Sequence, residues 1–121
     1  MERLCLLREI YRSIGEYEQV FQKRHGLCLN EGMLLCSLKE CKMSSGDIAN
    51  ALGLTHSNTS KIIKSLEEKV FIDRILGDND KRQMYFALTR QGRSKLQEIN
   101  LEDGEIGSIL REICNKIGFD K

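Results

Sequence analysis

The chain has 121 residues, 40% of them hydrophobic, with no proline or tryptophan and a formal net charge of +1, which suits a single globular domain. No stretch approaches the roughly 18 uninterrupted apolar residues of a membrane span. Met1 to Leu7 is too short and too charged for a secretory leader, so a cytoplasmic protein with no membrane partner is expected. Five cysteines, an odd and scattered set, favour a reducing compartment over a disulfide framework.

In chain order, Leu4, Leu7, Ile10, Tyr11, Ile14, Tyr17 and Phe21 recur at three- and four-residue steps. They predict one long amphipathic helix ending near His25-Gly26. Asn30 can cap a second helix, with Met33, Leu34, Leu35 and Leu38 as its buried side, running to about Cys41. Ser44 or Ser45 can cap a short third helix through Ile48, Ala49 and Leu52, stopped by Gly53.

Thr55 is placed to cap a fourth helix. Thr59, Ile62, Ile63, Leu66 and Val70 would face inward, and Ser57, Asn58, Ser60, Lys61 and Lys64 outward. Ile72 to Leu76 and Met84 to Leu88 are β-prone runs separated by a turn-rich stretch from Gly77 to Lys81, which reads as a projecting hairpin. Thr89 caps a fifth helix through Leu96 and Ile99, and after Asp103-Gly104 a last helix carries Ile106, Ile109, Leu110, Ile113 and Ile117.

Charge is unevenly spread. Thr55 to Lys95 holds nine Lys/Arg against five Asp/Glu, whereas Leu96 to Lys121 holds three against six. The basic excess therefore sits in the segment that a polyanion would meet. The outer face of the fourth helix is short-chained, polar and basic, and carries no acid before Glu67. A helix entering the major groove needs such hydrogen-bonding side chains near its N-terminal end.

Two helices joined by a glycine turn, the second basic outside and followed by a hairpin with Lys81 and Arg82, give the order of a winged helix-turn-helix. Four runs carry a closer likeness: Asp47 to Leu54 into Asn58-Thr59-Ser60-Lys61-Ile62-Ile63, then Leu66-Glu67-Glu68-Lys69, then Asp80-Lys81-Arg82, then Leu88-Thr89-Arg90-Gln91-Gly92. On these residues the chain resembles the MarR family of winged-helix regulators. The implied fold is mainly α with a small β-hairpin wing: one domain over residues 1–121, with a DNA-binding part over about 28–90 and dimerisation helices over about 1–25 and 91–121.

The resemblance implies a homodimeric, sequence-specific regulator, a repressor of transcription, binding a pseudo-palindromic site in double-stranded DNA. It assigns the minor-groove contact to Arg82, with Asp80 orienting the guanidinium, an arrangement that suits a narrow electronegative groove. Thr55, His56, Ser57, Asn58, Ser60 and Lys61 are the expected base and phosphate contacts of the helix. Lys64, Arg74 and Lys81 are expected phosphate contacts. A small amphipathic or phenolic effector is also implied.

The chain departs from the family at Val70, where glycine is usual, so a different helix end is expected. It departs again at Ser65, where arginine is frequent, and in a short C-terminal region. Cys5 matches the position at which some relatives sense oxidants, and inert packing is the alternative reading. His25, Cys28, Cys36 and Cys41 raise zinc but contain no Cys-x-x-Cys pair, so no metal or other cofactor is expected. No nucleophile elbow or phosphate-cradling loop occurs, and the acidic pairs Glu67-Glu68 and Glu102-Asp103 read as solvated surface; an enzyme is not expected. A module whose basic face docks an acidic protein is the remaining alternative.

Overall fold

The computed structural model describes residues 2–77, 82–102 and 104–117. Along them run α1 (Arg3–His25), α2 (Leu29–Ser37), β1 (Met43–Ser44), α3 (Ser45–Leu52), α4 (His56–Glu68), β2 (Ile72–Leu76), β3 (Met84–Leu88), α5 (Arg90–Leu101) and α6 (Gly104–Ile117). The chain is mainly helical with one small sheet, the fold class that the periodicity predicts.

The helix boundaries follow from local chemistry. α1 ends where Gly26 takes φ 71° and returns its N–H to the Gln22 carbonyl. Lys23, Arg24 and His25 in its last turn suit the negative end of the helix dipole. α3 opens on a capping box in which the Ser44 hydroxyl accepts from the Asp47 N–H and the Asp47 carboxylate accepts from the Ser44 N–H. Gly53, at φ 66°, closes it. α4 opens on Thr55, whose hydroxyl accepts from the Asn58 N–H at 3.1 Å.

Three expectations need correction. α2 starts at Leu29, so Asn30 lies inside the helix rather than capping it, and the helix stops at Ser37, short of Cys41. The chain must turn there because Met43 and Ser44 pair with Phe86 and Tyr85 of β3. Met33, expected in the core, is 42% exposed. Val70, expected to face inward and to alter the helix end, is 56% exposed and itself adopts φ 58°. The left-handed stop forms without glycine: the Phe71 N–H reaches the Leu66 carbonyl at 3.0 Å and the Val70 N–H reaches that of Glu67 at 3.0 Å. For a β-branched residue this conformation stores roughly 1–2 kcal/mol.

The sheet is antiparallel in the order β1-β3-β2. Ile72 pairs with Leu88, Arg74 with Phe86 and Leu76 with Met84. β1 has two residues and no alternation to read, which is why periodicity does not reveal it.

Two compact units emerge. In the unit from Leu29 to Glu98, buried Leu34, Leu35, Leu38, Ile48, Ile63, Leu66, Ile72 and Phe86 form the core under α2, α3, α4 and the sheet. Thr89 joins the end of α4 to the start of α5. Its hydroxyl donates to the Val70 carbonyl at 2.7 Å and accepts from the Gly92 N–H at 2.9 Å, and its own N–H reaches the Phe71 carbonyl at 3.1 Å. Gly92 sits so close to this turn that a Cβ would run into the Phe71 carbonyl oxygen.

In the other unit α1 and α6 pack together, and the rings of Tyr17, Phe21 and His25 meet in tilted contacts along α1 at centroid distances of 5.9 and 4.7 Å. The N-terminal half of α1 leaves Leu4, Leu7 and Tyr11 at 77%, 60% and 79% exposure.

Candidate nucleic-acid interface

The α3–turn–α4 unit presents one polar face. Thr59 is buried beneath α4, its hydroxyl bonded to the Thr55 carbonyl at 2.7 Å, and Ile63 and Leu66 continue that inner side. The opposite side places Ser57, Asn58, Ser60, Lys61 and Lys64 in solvent, with exposed Thr55 and His56 at its head. None of these seven side chains is acidic, and Thr55, His56, Ser57 and Asn58 lie at the positive end of the α4 dipole. An anion approaching that end meets cations, hydroxyls and an amide, with no carboxylate to repel it.

Arg82 is exposed in the turn just before β3. Asp80 and Lys81, the other two wing residues singled out by sequence, lie outside the described residues. Arg74 is on β2, but its guanidinium is forked onto Glu67, with Nε and an Nη at 2.7 and 3.2 Å from the two carboxylate oxygens. It also lies over the Phe86 ring at 5.5 Å. That hydrogen bond, reinforced by the charge of Glu67, raises the pKa of Arg74 above its already high ordinary value. Glu67 is thus an internal partner of the wing strand and not the solvated acid that the sequence suggests.

A second cluster escaped sequence reasoning. Glu31 on α2 is 4% exposed. Its carboxylate accepts from the Ser65 hydroxyl at 2.6 Å and from the Lys69 ammonium at 3.0 and 3.2 Å. A single acid inside the mostly apolar run from Leu27 to Leu38 is the sequence signal that could have drawn attention to it. Ser65, a departure from the resemblance noted above, here turns toward α2.

Beside Ser60 a cleft of about 230 Å³ is lined by Ser45, Ile63, Arg74, Met84 and Phe86. Cys5 is half-buried on α1 and shares a surface hollow with Arg8 and Tyr11. Among the described residues no three His, Cys, Asp or Glu side chains converge as a metal site, and no helix is long and apolar enough to cross a membrane.

Helix, glycine turn, polar helix and antiparallel hairpin in this order define a winged helix-turn-helix protein. The family model for the transcriptional regulators SarA/Rot matches residues 16–99, and the chain belongs to that family. It is 28% identical over 102 residues to the transcriptional repressor MprA of Escherichia coli K12, a match that takes in 82% of this chain and 57% of MprA. The chain thus spans little more than half of that relative's length.

Two solved structures share the fold. Apo MarR from E. coli superposes with a TM-score of 0.78 at 15% identity, covering 95% of this chain and 84% of MarR. A mutant of S. aureus MepR bound to an oligodeoxyribonucleotide superposes with a TM-score of 0.67 at 22% identity, covering 93% and 83%. The MarR-type likeness read from Asp47 to Leu54 and from Leu88 to Gly92 agrees with these findings.

Proposed function

We propose that this regulator is a DNA-binding repressor that acts in the cytoplasm as a homodimer on a pseudo-palindromic operator. The observation that carries the reading is the outer face of α4, where Ser57, Asn58, Ser60, Lys61 and Lys64 stand together in solvent with no acid on the helix before Glu67. Thr55, His56 and the Asn58 side chain would meet base edges or phosphates at the head of the helix, Lys61 and Lys64 would hold the phosphates, and Arg82 would reach the minor groove. Asp80 and Lys81 keep their proposed wing roles. Arg74 is better suited to bracing the wing than to seating a phosphate, since Glu67 already offsets its charge.

Dimerisation is supported by the exposed apolar stripe of Leu4, Leu7 and Tyr11 on α1, the kind of surface that a second copy would cover. The oligodeoxyribonucleotide in the complex of the similarly folded MepR mutant supports the same partner here. A small amphipathic or phenolic effector would fit the cleft between Ser60 and Arg74, where it touches both the reading helix and the wing strand. Such a ligand acts only by binding two arrangements of those elements unequally. A thiol-sensing role for Cys5 is the second reading, favoured by its place beside Arg8 within the α1 stripe.

The test is anisotropy on duplexes that the wild type selects from random sequence. Arg82→Ala is expected to weaken the selected duplex on the order of tenfold or more, and Lys64→Ala to weaken every duplex alike and flatten the salt slope by about one unit. Absence of salt-dependent duplex binding by the wild type refutes the reading.

A further inference from the structure

We propose that Glu31 is a positioning residue for duplex recognition: a buried carboxylate that never touches DNA and sets the seating of α4 through Ser65 and Lys69. The inference rests on α4 being the reading helix.

Ser65 and Lys69 stand one helical turn apart, on the flank of α4 that meets α2. Both address the same carboxylate, which therefore receives three short contacts from the C-terminal turn of α4. Glu31 is almost wholly withdrawn from water while the Lys69 side chain is 37% exposed, so the carboxylate depends on these partners although the Lys69 ammonium is in part solvated. On the opposite flank Glu67 grips Arg74 of β2. The C-terminal half of α4 is consequently held from two directions by polar contacts, whereas its N-terminal half packs through buried Thr59 and Ile63 and against α3.

The lever arm makes this matter. α4 has 13 residues, about 20 Å of helix. A rocking of about 10° at the pinned end moves the side chains of Ser57 and Asn58 by roughly 3 Å, far beyond the tolerance of a base-edge hydrogen bond. Phosphate contacts by flexible lysines survive such a shift, because a long ammonium arm can follow the backbone. Loss of the Glu31 anchor is thus expected to erode discrimination between sequences while leaving general affinity for duplex in place.

Glutamine at this position separates the roles of shape and charge. Its carbonyl can accept from Lys69 and its amide can donate to the Ser65 hydroxyl, so the linkage persists without the ion pair.

The experiment compares two duplexes of equal length and composition by anisotropy over a salt series. One is the sequence that the wild type selects from a random pool, and the other is its shuffled counterpart. For Glu31→Ala the affinity for the selected duplex is expected to fall roughly tenfold while that for the shuffled duplex and the salt slope stay put. Glu31→Gln is expected to lose only about threefold, and Ser65→Ala a similar amount. Those two milder variants carry the test if Glu31→Ala does not fold. An unchanged ratio of the two affinities in Glu31→Gln and Ser65→Ala, or a parallel loss on both duplexes, overturns the role of Glu31. Failure of the wild type to bind either duplex overturns the DNA reading itself, and is told apart from the first result because it needs no variant.

Discussion

Replacing Val70 with glycine should make the protein more stable, although it removes side-chain atoms. Val70 holds φ 58° at the end of α4, and a β-branched residue in that conformation costs roughly 1–2 kcal/mol relative to glycine. Against this, glycine loses about 0.5–1 kcal/mol of additional chain entropy on folding. The lost packing is small because the side chain is more than half exposed, a few tenths of a kcal/mol at about 25 cal/mol per Å². The balance is a gain of about 0.2–0.7 kcal/mol, which for a chain of 121 residues is an increase in Tm of roughly 1–3 °C. Urea titration followed by far-ultraviolet circular dichroism, at one fixed protomer concentration, measures it as an increase in midpoint without change in slope. A fall in midpoint for Val70→Gly would show that the valine side chain makes a contact outweighing its backbone strain, and the account of this helix end would be wrong.

Other outcomes follow from the same geometry. Thr55→Ala removes the hydroxyl that accepts from Asn58 and should lower stability by about 1 kcal/mol, with Thr55→Ser restoring most of it in the same titration. Gly92→Ala drives a methyl group into the Phe71 carbonyl oxygen and should cost about 3 kcal/mol or more, or abolish soluble expression at 37 °C; a loss under 1 kcal/mol would contradict the packing at that turn. Leu7→Glu puts a charge in the middle of the exposed α1 stripe and should shift the protein toward monomer in sedimentation velocity, with DNA affinity falling in step.

Most of this architecture is legible in the residues because the elements concerned announce themselves locally. The runs Ile72 to Leu76 and Met84 to Leu88 are bounded by turn residues and occur as read. Thr55, Gly26 and Gly53 mark helix ends through short-range chemistry that needs no knowledge of the rest of the chain. What escapes is set by partners distant in sequence. Asn30 looks like a cap, yet Leu29 is drawn into α2 ahead of it. β1 exists only because β3 offers it an edge. Val70 accepts an unfavourable conformation because the turn around it is fastened elsewhere, which local propensity cannot register.

The candidate interface divides in the same way. Its outward residues follow from helical spacing, so Ser57, Asn58, Ser60, Lys61 and Lys64 could be placed on one face before any coordinates. The contacts that brace that face span large separations: Glu31 meets Ser65 and Lys69, which are 34 and 38 positions away. Nothing in the spacing of a lone acid tells which serine or lysine will answer it.

Thr89 uses both faculties of its hydroxyl at once, donating a hydrogen bond to the turn beyond α4 and accepting one from the first turn of α5. The start of α5 and the end of α4 therefore cannot rotate independently while that oxygen keeps both bonds. A twist imposed on the opening turn of α5 is therefore passed, through this one residue and its neighbour Gly92, to the far end of the helix proposed to read DNA.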